Sequence, residues 1–433
     1  MDKASERYES MLREYIGRNL KNVLKAPKGC LKYPFIDPGS VYDGNLWDWD
    51  SFWAAYGAFA FMESDKDAKK ELGDSLLEHA KGNVLNFLDH QLPDGYIPMM
   101  VEAKDTEPYL NARHREGVRM NMHKPFLCQQ VSLIMGYSGD WSWASPFRPA
   151  LELYFTRYEE GYFNANCGLY AWADDIMIGM DNDPASFGRP PYSTANMFLN
   201  AFMVQELEAM ALILDKLGDR AASDAYISKA VSLVDRIQAE CWDPRDRFFY
   251  SVDVDVRTRQ YDWFHKGLGV FWKSLPIKIR AWSGFLPLAA RFATPNQAAS
   301  LAQHARDPAT FRSRFGITSL AMDEKMFNVE ATNNPSNWLG PIWIVTQYLV
   351  FRGLMNYGFR EDAAALVRDT LSVLGRDLEQ TGTIHEYYDP RTGLPVMNGG
   401  FINWNILALN MADELRGAEP MSRFLSRSGR PAS

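Results

Sequence analysis

Cysteine is scarce in this chain: four residues among 433, Cys30, Cys128, Cys167 and Cys241, scattered and with no C-x-x-C pair. That excludes a dense disulfide framework and a zinc knuckle, and leaves four isolated thiols expected in the core. Basic charge is not in excess either. With 46 Lys and Arg against 54 Asp and Glu the net charge is −8, which argues against a nucleic-acid partner, since such binding relies on cations neutralising phosphates. No apolar run reaches the roughly 20 residues of a membrane span, and Met1 to Tyr15 lacks the apolar centre of a secretion signal. A cytoplasmic protein with no membrane partner is expected. No two of the seven histidines stand at the i, i+4 spacing of a helical metal site. No 30 to 45 residue repeat is visible, which disfavours a solenoid.

Aromatic residues are abundant, at 13% of the chain with 13 Trp. Rings in that number serve a large core or a cleft that stacks on apolar sugar faces. Apolar residues recur at helical spacing, first at Tyr8, Met11, Leu12, Tyr15, Ile16, Leu20 and Val23, then in stripes over 52–62, 72–88, 126–135, 149–158 and 195–217. Further stripes cover 222–242, 279–292, 298–304, 338–354, 361–378 and 404–415, about twelve helices in all. Between them lie loops dense in Gly, Pro, Asn, Asp and aromatics. Residues 248–256 alternate as a hairpin strand does, and Asp389 to Gly393 has turn chemistry. The pattern predicts an all-α protein of helical hairpins closed in a ring, an (α/α)6 toroid with short β-hairpins at one loop-lined mouth. It is read as one catalytic domain over 1–420 with a flexible tail at 421–433.

Four segments concentrate the chemistry. In YDGNLWDWDSFW, residues 42–53, Asp50 serves either as a helix N-cap or, beside Trp47 and Trp49, as a carboxylate accepting from vicinal sugar hydroxyls. In 171–191, Asp174, Asp175, Asp181 and Asp183 crowd together with no cation before Arg189. Burial and like charge would raise one of them into the range of a general acid; a solvated loop or a calcium site are the other readings. In 382–405 the single Glu386, between His385 and two tyrosines, is a base for activating water or a solvated surface acid. In NWLGPIW, 337–343, core packing suits Trp343 and a cleft wall suits Trp338. His123 and His385 are assigned to core or loop roles.

Taken in order, these segments resemble the trehalase-like (α/α)6 glycosidases, most closely glycoside hydrolase family 63 and its compact bacterial members, mannosylglycerate and glucosylglycerate hydrolases among them. The family's W-x-W-D motif, part of the subsite for the terminal sugar, corresponds to Trp47, Asp48, Trp49 and Asp50. Its G-x-D-[DN] motif falls on Gly179, Met180, Asp181 and Asn182, so the resemblance selects Asp181 as general acid. W-R-G-P-x-W falls on 338–343, with Leu339 in place of Arg, and Glu386, Tyr387 and the turn 389–393 match the segment of the general base. Its closing F-x-W is met in part, by Asn403 and Trp404 with Ile402 at the Phe position, and Lys124–Pro125 stands where a Q-P pair lines the sugar site.

The resemblance implies an inverting, exo-acting α-glycosidase. Asp181 would be protonated and its pKa raised by apolar walls and by Asp174, Asp175 or Asp183; Glu386 would be ionised, the two roughly 6.5–9.5 Å apart. Trp47, Trp49, Asp50, Trp338, Trp343 and Tyr387 would bind one terminal glucose or mannose of a small glycoside. Lys124 or Arg189, with the basic run Arg113, His114, Arg115 and Arg119, would receive an anionic aglycone if there is one. No cofactor is needed, although relatives carry a structural calcium. A sugar epimerase on a similar barrel, which would require paired histidines, and a non-catalytic sugar-binding protein are the rival classes.

Overall fold

The computed structural model describes residues 2–256, 272–330 and 336–427. The helices are α1 (Lys3–Asn19), α2 (Asp48–Ser64), α3 (Lys66–Asp89), α4 (Tyr109–Arg115), α5 (Leu127–Ser138), α6 (Arg148–Gly161) and α7 (Met197–Lys216). They continue as α8 (Arg220–Glu240), α9 (Leu286–Ala289), α10 (Pro295–Arg306), α11 (Ile344–Asn356), α12 (Arg360–Thr381) and α13 (Leu407–Leu415).

Two kinds of helix alternate, and their sequences explain why. In α2, α5, α7, α11 and α13 almost every position is buried. A helix that is apolar all round must be enclosed, whereas α1, α3, α8 and α12 bury one stripe and expose charge on the other side. The enclosed helices touch in the cyclic order α2, α5, α7, α9, α11, α13 and back to α2. The amphipathic helices pack outside them, α3 on α2, α8 on α7, α12 on α11, and α1 on α12 and α13. With α6 and α10 in the outer layer, six inner and six outer helices form the expected (α/α)6 toroid. Contrary to the expectation that no stretch has membrane-span length, α7 is long and apolar enough to cross a membrane by length and composition, but 89% of that stretch is buried in the ring as core.

Buried polar groups tie the ring together. Glu206, enclosed on α7, accepts from the backbone N–H groups of Cys128 and Gln129 at 2.6 and 3.1 Å, satisfying two orphan donors at the start of α5. The Tyr56 and Tyr348 hydroxyls of α2 and α11 meet at 2.7 Å, and Tyr348 donates to Glu414 of α13.

Three expectations need correction. The stripe at 279–292 does not make a full helix: Ala281 bridges Leu320 in extended form, and a 3-10 turn at Trp282–Phe285 leads into the single turn of α9. Pro287, lacking an N–H, sits at the start of that turn and suits a beginning rather than a helix interior. Residues 248–256 split between two ladders, Phe248–Phe249 pairing with Trp242–Asp243 and Val252–Asp253 with Thr194–Ala195. The expected flexible tail is packed where it begins. Met421–Phe424 forms a 3-10 turn, the Ser422 N–H donates to Tyr56, and the Phe424 ring lies on the bare backbone of Gly136 in α5. Residues 428–433 lie outside the described part. α4, in a polar stretch, was not expected.

Candidate active site

Three of the four segments singled out in the sequence meet where α2, α11 and α13 begin. The strand Asn45–Trp47 pairs with Met100–Glu102 and leads directly into α2. Ile342–Trp343 pairs with His385–Tyr388, setting Trp343 opposite Tyr387. His385–Tyr388 folds back on Pro395–Gly399 through the Asp389–Gly393 turn, closed by a 2.8 Å bond from the Gly393 N–H to the Asp389 carbonyl. Glu386 is thereby held on the middle strand of a three-stranded ribbon, 3% exposed.

Asp181 sits in a loop anchored on both sides. Ahead of it, the Trp282 indole N–H points to the Met180 sulfur at 3.1 Å. Behind it, Asn182 donates to Asn337 and accepts the Trp338 N–H at 2.6 Å. Gly179 has φ +88°, and a Cβ there would lie 3.2 Å from the Lys124 side chain and 3.3 Å from the Trp49 ring. The first glycine of the motif is thus required by conformation and by close approach.

Burial raises the pKa of three carboxyls at this place. Glu386 is pushed up to about 7, mainly by burial and further by the charge of Asp181, against hydrogen bonds from Asn398 and Tyr42. The Tyr42 hydroxyl donates to its two oxygens at 3.1 and 3.2 Å. Asp181 is raised by burial, with the Lys124 charge and a Ser336 hydrogen bond opposing. Asp50 is raised to about 8 by burial, opposed chiefly by Lys124, and accepts from Asn403 at 2.6 Å. Glu386, Asp50 and Asp181 all act on Tyr42, whose pKa rises mainly through burial, so the three acids share one neighbourhood.

Aromatic rings enclose it. Trp338 stacks on Trp343 at 4.1 Å and 4°, Trp343 packs on Tyr387 at 4.6 Å, and Trp49 contacts Trp338 at 5.8 Å and Trp404 at 5.1 Å. Phe401 links Trp404 to Tyr42, which meets Trp47 edge-on. Among the described residues, the Trp47 and Trp404 indole N–H groups and the Asn403 carbonyl oxygen are buried without a hydrogen-bond partner. Such atoms suit a hydroxyl-rich ligand.

Several expectations change. Asp50 does not cap α2: it lies inside the first turn, and Asp48 accepts the Trp49 N–H. Asp181 owes its shift to burial, not to its acidic neighbours; Asp183 is occupied by Asn196 and Ser186, and Asp175 by the Gly188 N–H. Glu386, expected ionised, is only partly so at neutral pH because its site is dry. Trp343 and Tyr387 are fully buried and form the floor, while Trp47 keeps partial exposure. Arg189 bonds Thr194 and pairs with Asp253 at 2.5 Å, at the neighbouring ladder. In the basic run, Arg113, His114 and Arg115 pair with Glu116, Asp94 and Glu107, and Arg119 lies over Tyr192. Lys124 is enclosed and paired with Asp48.

His123 is buried with its pKa lowered to about 4 by burial, and His385 bonds Asp377 at 2.8 Å, so these two histidines do not form the pair an epimerase would require. Among the described residues no group of three or more His, Cys, Asp or Glu side chains forms a metal site for the calcium the resemblance allows. Sequence reasoning missed Tyr42, Asn398 and Ser336 as carboxylate partners. Tyr42 opens the acid-aromatic stretch and was the readable one; Asn398, at φ +53°, reads only as a turn residue.

The family described as mannosylglycerate hydrolase MGH1-like glycoside hydrolase domain matches residues 43–404. The probable mannosyl-oligosaccharide glucosidase of Schizosaccharomyces pombe is 26% identical over 251 residues, 55% of this chain and 29% of that protein. The mannosylglycerate hydrolase of Thermus thermophilus is 26% identical over 232 residues, 52% of this chain and 47% of that one. The aligned stretches thus span less than half the length of these curated relatives. A solved structure of the GH63 mannosylglycerate hydrolase from Thermus thermophilus, with Tris and D-glycerate, superposes with a TM-score of 0.62 at 21% identity, over 93% of this chain and 99% of that one. It shares the fold.

Proposed function

The chain belongs to the MGH1-like family of glycoside hydrolase domains, and from that membership we propose that it is an inverting, exo-acting α-glycosidase of small glycosides. The observation that carries this reading is the convergence of the half-buried Asp181 carboxyl and the buried Glu386 carboxyl, from a loop and a strand more than two hundred residues apart, within reach of each other's charge. Asp181 protonates the glycosidic oxygen, and Glu386 takes the proton of the water that attacks the opposite face of the anomeric carbon. Asp50, Trp49 and the unpaired donors of Trp47 and Trp404 hold one terminal glucosyl or mannosyl residue, the sugars that the names of the two relatives point to. The enclosed tryptophans keep water other than the nucleophile away. Four free cysteines suit a reducing, cytoplasmic compartment.

The test is incubation with α-glucosides, α-mannosides and their glycerate derivatives, following the first anomer released by proton NMR. The β-anomer supports inversion; the α-anomer refutes the assigned roles.

Acidity gives a second check. The base works only ionised, so kcat/KM falls about tenfold per pH unit below about 7, where Glu386 takes up its proton. Tyr42→Phe removes a donor that favours the carboxylate, and moves this limb upward. A limb that stays in place in that variant removes Glu386 from the assignment.

A further inference from the structure

Lys124 is buried where the family resemblance places an uncharged Gln. Lys124 is 0% exposed, and its ammonium lies 2.7 Å from Asp48, itself 0% exposed. The same carboxylate accepts the Lys124 backbone N–H at 2.7 Å. The Lys124 backbone carbonyl in turn accepts the Tyr154 hydroxyl at 2.9 Å, and the methylenes lie against Gly179, two residues ahead of Asp181. The side chain is therefore held between α2 and the acid loop, its backbone is anchored from α6, and its charge is screened little by water.

We infer that Lys124 is a positioning residue that acts through its field: locked to Asp48 between the start of α2 and the acid loop, its ammonium sets the proton occupancy of Asp50 and Asp181. This rests on the hydrolase reading for its purpose, but not for its test. The charged and titratable groups facing Lys124 are Asp48 and Asp50 on α2, Asp181 on the loop, His123 beside it and Tyr154 on α6, with Glu386 acting on Asp50 from the ribbon. His123 is neutral, its pKa lowered by burial, and the Tyr154 pKa is raised by burial, so the balance lies between one ammonium and the carboxyls. Lys124 draws both Asp50 and Asp181 downward, against burial; Asp48 pushes Asp50 upward. A Gln at 124 would leave Asp181 holding its proton to higher pH, so the lysine brings the alkaline limit of a general acid closer to neutrality.

The test titrates the full-length chain, labelled with carboxyl-13C aspartate, by NMR, with Asp50 and Asp181 assigned through Asp50→Asn and Asp181→Asn. Lys124→Gln should raise both midpoints by on the order of one pH unit. Lys124→Arg should leave them near the wild-type values. Asp48→Asn should move the Asp50 midpoint the opposite way, downward, because it removes a repelling charge and frees the ammonium from its partner. Unchanged midpoints in Lys124→Gln, or shifts of one sign in Lys124→Gln and Asp48→Asn alike, would overturn the inference, since a general loosening moves every carboxyl toward its value in water. If Lys124→Gln does not fold by circular dichroism, Asp48→Asn decides alone: a downward Asp50 shift with the burial-raised Asp183 unmoved is in favour, and no shift, or a fall of both, is against. Turnover is not needed for any arm, so failure of the field and failure of the hydrolase reading are distinguishable.

Discussion

Glu386→Gln should lower kcat by about 10²–10⁴-fold, the usual contribution of a positioned base, and at the same time raise the melting temperature at pH 8. The first effect follows because an amide cannot take the proton of water. The second follows from burial. Folding raises the carboxyl from an ordinary 4.5 to about 7, so below 4.5 it is protonated in both folded and unfolded chain and costs nothing. Between 4.5 and 7 the unfolded chain gives up this proton while the native state keeps it, so stability falls across that window and the loss, about 3 kcal/mol, is complete by pH 8. Gln never ionises and avoids that loss. For a chain this long, a gain of about 2–3 °C is expected at pH 8 and none at pH 4. Asp181→Asn should show the same pairing of lost turnover and alkaline stabilisation. Turnover within tenfold of wild type in both variants would remove the two carboxyls from the chemistry.

Trp343→Ala should be the most damaging of the aromatic substitutions. The ring is fully buried between Trp338 and Tyr387, and its N–H donates to the Asn337 carbonyl at 2.9 Å. Removing a core Trp costs about 3–5 kcal/mol, and the orphaned carbonyl roughly 1 kcal/mol more. That corresponds to a fall in melting temperature of about 4–6 °C in a chain of this size. Activity should fall too, because Trp338, which Asn182 grips beside Asp181, loses the surface it stacks on. Trp343→Phe should recover most of the stability. Trp47→Ala, by contrast, removes a partly exposed ring and should raise KM while leaving the melting temperature within about 1 °C. Equal stability losses in the two alanine variants, measured by calorimetry, would contradict a floor at 343 and a wall at 47.

The legibility of this chain differs from segment to segment for identifiable reasons. Stripes such as 195–217 and 361–378 are long and unbroken, and the helices Met197–Lys216 and Arg360–Thr381 stand close to those bounds. At 279–292 the same apolar density misleads, because a buried extended segment and a buried helix look alike in a short run and Pro287 decides between them. The acid-aromatic crowding at 42–53 and the lone Glu386 mark the site without saying which carboxyl is dry. Arg189 and His114 look available in sequence, since their partners Asp253 and Asp94 are chosen only by the folded chain.

Sequence alone determined most of the helices, the ring they imply and the four segments that carry the chemistry, because hydropathy period and turn chemistry act over a few neighbouring residues. Tertiary structure alone decided that Lys124 pairs with Asp48, that Tyr42 and Asn398 hold Glu386, and that Asp50, Asp181 and Glu386 lie close enough to bias one another's protons. Desolvation and charge depend on what surrounds a group in space, and the neighbours of these groups come from the far ends of the chain.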